Sequence, residues 1–208
     1  MVSGILSPAF LQAAGRAGKK KSIIRFMCGE EADPTIQKIV CAGSITIEST
    51  KDGAPVSATY PAGTHNAIVV QADENTEVAI TGNVTELYIT KYNNDPDVDD
   101  YEGYMSLASI DVSGCKKLQT LCIAMNENVE ALDLSTNTAL QNLYCNGCTG
   151  LIEIKYPATN EDVSTAIAGA ITAADAADGT VYTDSAAAYY STIETAATDK
   201  GWTIEQIA

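Results

Sequence analysis

The chain has 208 residues, 46% of them apolar, a mean hydropathy near zero and a net charge of −15. That length buries a core in one large domain or two small ones without staples, and no apolar run approaches the roughly 20 residues of a membrane span. The acid excess excludes ordinary nucleic-acid binding, which needs cations against phosphate, and it favours solubility.

Residues 1–21 read as a basic N-terminal arm. Arg16, Lys19, Lys20, Lys21 and Arg25 place +5 in the first 25 residues, with no acid among them. The lysines follow the apolar part, and Ser3, Pro8, Gln12 and Gly15 interrupt it, so the order of a secretory signal is missing; the expectation is a chain made in the cytosol. Ser7 and Pro8 make a helix start. Phe10 and Leu11 offer an anchor, and Arg16 with Lys19, Lys20 and Lys21 supplies charge for an acidic neighbour, so the arm is the expected attachment element.

Residues 22–76 hold short β-prone runs, "SIIRFMC", "KIVCAGSITIES", "APVSATY" and "NAIVVQAD", parted by turn residues, with Asp52-Gly53 as a hairpin turn. They predict a small β-rich domain or cap. His65, the chain's one histidine, falls in "PAGTHNA" and reads as a solvated turn residue rather than a general base.

From 77 to 158 the chain repeats. Ile110, Leu121, Leu132, Leu143 and Ile154 recur every eleven residues, with Val112, Ile123, Leu134, Cys145 and Tyr156 two places on and Leu107, Leu118, Val129, Leu140 and Leu151 three places before. Alternate units share character, "IDVS" with "LDLS", so the better period is 22, two 11-residue half-units to a coil. Strand alternation then turns the leucines inward. Asp111, Asp133 and Lys155 line one outer surface, and Tyr88, Cys122 and Tyr144 the other. Cys115, Asn126, Asn137 and Cys148 share a column in which a side chain bonds buried turn backbone. The C-x-x-C pair Cys145 and Cys148 is thus read as packing: a redox dithiol needs a helix N-terminus in a βαβ context, and zinc needs two further ligands. With Cys28, Cys41, Cys115 and Cys122 scattered, all six cysteines read as reduced thiols.

"VAITGNVTELYIT", "LASIDVSGCKKLQTL", "VEALDLSTNTALQNLYCNGC" and the ending from Asp178 to Ile207, with its K-G-W strand, resemble the leucine-rich-repeat proteins of gut Bacteroidales. The resemblance covers residues 77–208. It implies a short leucine-rich-repeat β-solenoid, mainly β with an α/β C-terminal cap, in a surface or adhesion protein or a phage-encoded relative.

An acidic insertion, residues 90–106, enlarges one half-coil with "KYNNDPDVDDYEGYM". Asp95, Asp97 and Asp99 have the D-x-D-x-D spacing of a calcium loop, but Asp100 stands at its glycine position and Ser106 at its twelfth. The bland alternative is a solvated acidic loop. The sharper one is a contact loop, because Tyr92, Tyr101 and Tyr104 give large contact area at low entropy cost.

Residues 159–208 predict an α/β cap: a helix capped by Asn160, with Val163, Ile167, Ala170, Ile171 and Ala174 as its apolar stripe, the strand "TVYT", a helix starting at Asp184 or Ser185 and ended by Gly201, and a last strand "WTIEQI". No G-x-S-x-G, phosphate-loop or dinucleotide fingerprint occurs. The expected function is therefore non-enzymatic, without cofactor: a structural or interaction protein, a phage virion component attached through its arm to virion or homo-oligomeric protein neighbours. The alternative is a cell-surface adhesion module binding host protein or glycan. Neither nucleic acid nor membrane insertion is expected. The partner-binding residues would be Phe10, Leu11, the arm cations, Tyr88, Tyr92, Tyr101, Tyr104 and Tyr144.

Overall fold

A computed structural model describes residues 23–29, 34–90 and 107–207. The basic arm, the acidic insertion with Asp95, Asp97, Asp99, Tyr92, Tyr101 and Tyr104, and the arm residues Phe10, Leu11, Arg16 and Lys19 to Lys21 lie outside the described residues. Those described form a mainly β structure of three sheets with two helices.

In the first sheet, β1 (Ile23–Cys28) is central between β6 (Glu77–Thr81) and β8 (Leu107–Asp111), and the hairpin β3 (Ile45–Lys51) with β4 (Ala54–Tyr60) completes the order β4-β3-β6-β1-β8, antiparallel throughout. The second sheet, β11-β9-β7-β2-β5, is mixed. Its strands β7 (Val84–Tyr88), β9 (Thr120–Cys122) and β11 (Asn142–Tyr144) are parallel, whereas β2 (Thr35–Cys41) is antiparallel both to β7 and to β5 (Gly63–Val69). The third sheet is parallel: β10 (Ala131–Asp133), β12 (Glu153–Lys155), β13 (Thr180–Thr183) and β14 (Thr203–Gln206).

Alternation explains each burial pattern. Ile24, Phe26 and Cys28 of β1 face inward while Ile23, Arg25 and Met27 are partly exposed, and the inward residues of all three sheets merge into one apolar cluster. Within it the leucine columns stand in register: Leu87, Leu121 and Leu143 in the second sheet, Leu132, Ile154, Val181 and Ile204 in the third.

This is not a leucine-rich-repeat β-solenoid. A solenoid would stack its coils into continuous ladders and close them with separate caps; here the repeat strands are divided among three sheets and share two of them with antiparallel strands. The eleven-residue period fixes which leucines are buried, but it does not fix what pairs with the outermost rungs. β1 takes up β8 and β2 takes up β7 in antiparallel register, from far upstream in the chain. At the other end β13 and β14 extend the third sheet instead of covering it, and each is reached through a helix, α1 (Glu161–Ala173) and α2 (Tyr190–Lys200).

Asn160 caps α1, its Oδ1 accepting the Val163 N–H at 3.1 Å, with Glu161 and Asp162 in the first turn where the helix dipole favours acids. The second helix begins later than its sequence signals suggest. Asp184 instead accepts the Ala186 N–H in a turn, and Tyr190 opens the helix without a side-chain cap. Gly201 ends it in the left-handed region at φ 84. Trp202 then inserts against Gly179, where a Cβ would collide with the indole, and its Nε1 donates to the Ala176 carbonyl at 3.0 Å.

Candidate interaction face

The column Cys115, Asn126, Asn137 and Cys148 holds the turns between repeat strands. The backbone N–H groups of Cys115, Asn137 and Cys148 each close one tight turn and their carbonyls accept in the next. Their side chains then reach the neighbouring repeat: Asn137 Nδ2 donates to the Val112 and Cys115 carbonyls, Cys148 Sγ to the Ile123 carbonyl at 3.1 Å, and Cys115 Sγ to the Val84 carbonyl at 3.3 Å. Asn126 is the most fully engaged, with Oδ1 accepting from the Leu107 N–H at 2.8 Å and Nδ2 donating to the Ile89 and Ile123 carbonyls.

Burial fixes the state of the C-x-x-C pair. It pushes the Cys145 thiol up to about 12 and the Cys148 thiol up to about 11, so neither supplies a thiolate near neutral pH. Cys28 is likewise pushed to about 11. The described residues contain no group of three or more His, Cys, Asp or Glu side chains arranged to hold a metal ion. Two outcomes are expected. An aromatic disulfide reagent at pH 8 should leave the folded protein unlabelled and react fully after denaturation, since all six cysteines are buried. The thiols' contribution to stability should be constant below about pH 8.5 and fall above it, because the unfolded thiols ionise near their ordinary value while the folded ones stay protonated until about 11 to 12. Prompt labelling of folded protein would show an accessible thiolate instead.

Outside this interior, the second sheet presents a polar aromatic face. Tyr88, Cys122 and Tyr144 stand side by side in parallel register, with Glu86, Thr120 and Asn142 in the row beneath. Strand spacing sets Tyr88 and Tyr144 about 10 Å apart. Tyr144 is 48% exposed, whereas Cys122 between the tyrosines keeps 4%. From β2, Lys38 pairs opposite Tyr88; its Nζ sits 2.7 Å from Glu86 Oε2 and 4.9 Å from the Tyr88 ring centroid. The hydrogen bond to Glu86 raises the Lys38 pKa, and partial burial raises that of Tyr88 against the opposing pull of Lys38. The face therefore carries aromatic area beside a charge pair that is already neutralised.

The opposite outer row behaves similarly. Asp133, Lys155, Tyr182 and Glu205 are in register on the third sheet, and Lys155 bonds Glu153 at 3.1 Å while lying 5.0 Å from the Tyr182 centroid. Asp111, grouped with this row by the repeat, is in the first sheet.

Of the partner-binding residues anticipated from sequence, the structure brings Tyr88 and Tyr144 together; the others lie outside the described residues. Lys38 and Glu86 were missed. Glu86 was discoverable, two residues before Tyr88 and so on the same strand face, but nothing in the repeat points to Lys38, which β2 delivers from far upstream. His65 is in β5, not a turn, partly covered, with Nε2 at 2.8 Å from the Pro61 carbonyl and its ring edge-to-face with Tyr60. No helix among the described residues is long and apolar enough to cross a membrane. No protein-family model, curated protein or solved structure matches the chain.

Proposed function

We propose that this chain is a non-enzymatic interaction protein that binds a protein partner through its Tyr88–Tyr144 face. The observation that carries the reading is the in-register tyrosine pair on a backbone held by parallel ladders, with Tyr144 half exposed and Lys38 satisfied by Glu86. Rigid tyrosines bury large area at little entropic cost, and the paired Lys38 beside them costs less to desolvate than a lone lysine would. The setting proposed is a phage virion, with the basic arm as attachment element, and it rests on the sequence resemblance. The half-exposed Tyr144 ring favours a second reading, an adhesion module stacking a glycan on the same face.

Mass spectrometry of the native assembly separates the settings: capsid or tail proteins in stoichiometric amount support the first, host protein or glycan the second. In either, Tyr144→Ala and Tyr88→Ala are each expected to weaken binding about tenfold or more, while Tyr182→Ala on the third sheet leaves it unchanged. Unaltered binding by both variants would remove this face as the contact.

A further inference from the structure

The first and second sheets end unevenly on the side away from the helices. Among the described residues nothing pairs with β4 beyond β3, or with β5 beyond β2. On β3 the inward residues Ile45 and Ile47 are buried. Their partners across the hairpin, Tyr60 and Ala58, and then Val56 and Ala54 on the same face, are exposed or only partly covered. The first sheet thus reaches one strand further than the second covers it. The step leaves a groove of about 300 Å³, lined by Ile47, Val56, Ala58, Tyr60, Ile68 and Val69.

Among the described residues, neither strand beside the step has a backbone partner on its outer edge. Asp52 and Gly53, at φ 52 and 72, form the two-residue turn that makes Lys51 and Ala54 a hydrogen-bonded pair. Alternation then directs Ala54, Val56, Ala58 and Tyr60 toward β3 and the Ser57 and Thr59 amides outward, Pro55 having none. The Val70 N–H bonds the Pro34 carbonyl, so the same alternation turns the backbone of Val69 away from β2. Val69 is 59% exposed.

Exposed edges are ordinarily guarded by charge, yet from Ala54 to Ala72 there is no Asp, Glu, Lys or Arg, in a chain of net charge −15. Like-charge repulsion opposes contact between two copies elsewhere on this acidic body, and it is absent here. A charged peptide would find no counter-charge in the groove, whereas a one-strand step is complementary in shape to an identical step. We propose that two copies of this chain meet at this edge around a two-fold axis, the overhanging β4 of each filling the vacant place beside β5 of the other. Such a contact is isologous and closes on itself, so it yields dimers and not filaments. It involves fewer than the roughly 20–30 residues a side of a standard interface, so the dimer should dissociate on the order of 10 µM.

Sedimentation velocity of the full chain across about 1 to 300 µM tests this. The expected result is a concentration-dependent shift from monomer to dimer. Val69→Lys puts charge on an exposed position, and Thr59→Pro removes an outward amide without touching the β3 ladder; each should weaken dimerisation at least tenfold with circular dichroism unchanged. A wild type that stays monomeric, one that grows into longer assemblies, or a dimer indifferent to both substitutions would overturn the proposal.

Discussion

Replacing Asn126 by alanine is expected to cost about 2–5 kcal/mol of stability, and the same change at Asn137 about 1 kcal/mol. Both side chains are buried, and both occupy the same column of the repeat. What differs is what each would leave behind. Among the described residues the Leu107 N–H and the Ile89 carbonyl are bonded by Asn126 alone, so truncation strands a buried donor and a buried acceptor, each costing about 1–3 kcal/mol. The carbonyls served by Asn137 keep a second donor: Val112 still accepts the Cys115 N–H and Cys115 the Leu118 N–H. Among the described residues Asn137 Oδ1 itself has no partner to lose. Urea denaturation of the two variants checks the pair, and equal losses would show that the column acts by packing alone.

Leu121→Ala is expected to lose about 2–5 kcal/mol through lost transfer energy and the cavity left behind. Leu121 is wholly buried between Leu87 and Leu143 on the neighbouring strands, with a ladder on either side to resist collapse into the space. Asp133→Ala on the outer row should cost about 1 kcal/mol or less, the value of the turn in which its Oδ1 accepts from the Ser135 N–H and hydroxyl. Comparable losses in denaturant would contradict the inward and outward assignment of the two columns.

That assignment was legible because a strand's side chains alternate: once Leu121, Leu132 and Leu143 were aligned, their burial followed. The Asn160 cap and the Asp52-Gly53 turn were legible for a similar reason, each being decided by residues within three or four places. Strand partnership was not. Nothing local in "SIIRFMC" says that Phe26 sits between Val78 and Ile110, or in "TIQKIVC" that Lys38 faces Tyr88. Those pairings are selected by the whole core, and they turn a periodic stretch that suggests a solenoid into parts of three sheets. For the candidate face, the tyrosines came from the repeat, while the lysine that sets their electrostatics came from a strand outside it.

The place of β1 between β6 and β8 also governs when the protein becomes able to fold. Phe26 leaves the ribosome 84 residues before Ile110, the residue it pairs with in β8; at about 5–20 residues per second that is a wait of roughly 4–17 s. Ile39 similarly awaits Leu87. The strands β9 to β14, by contrast, pair with neighbours that follow soon after them. During synthesis the two most apolar early strands are therefore held without their final partners, and misfolding should begin with β1 and β2 rather than with the parallel strands made later.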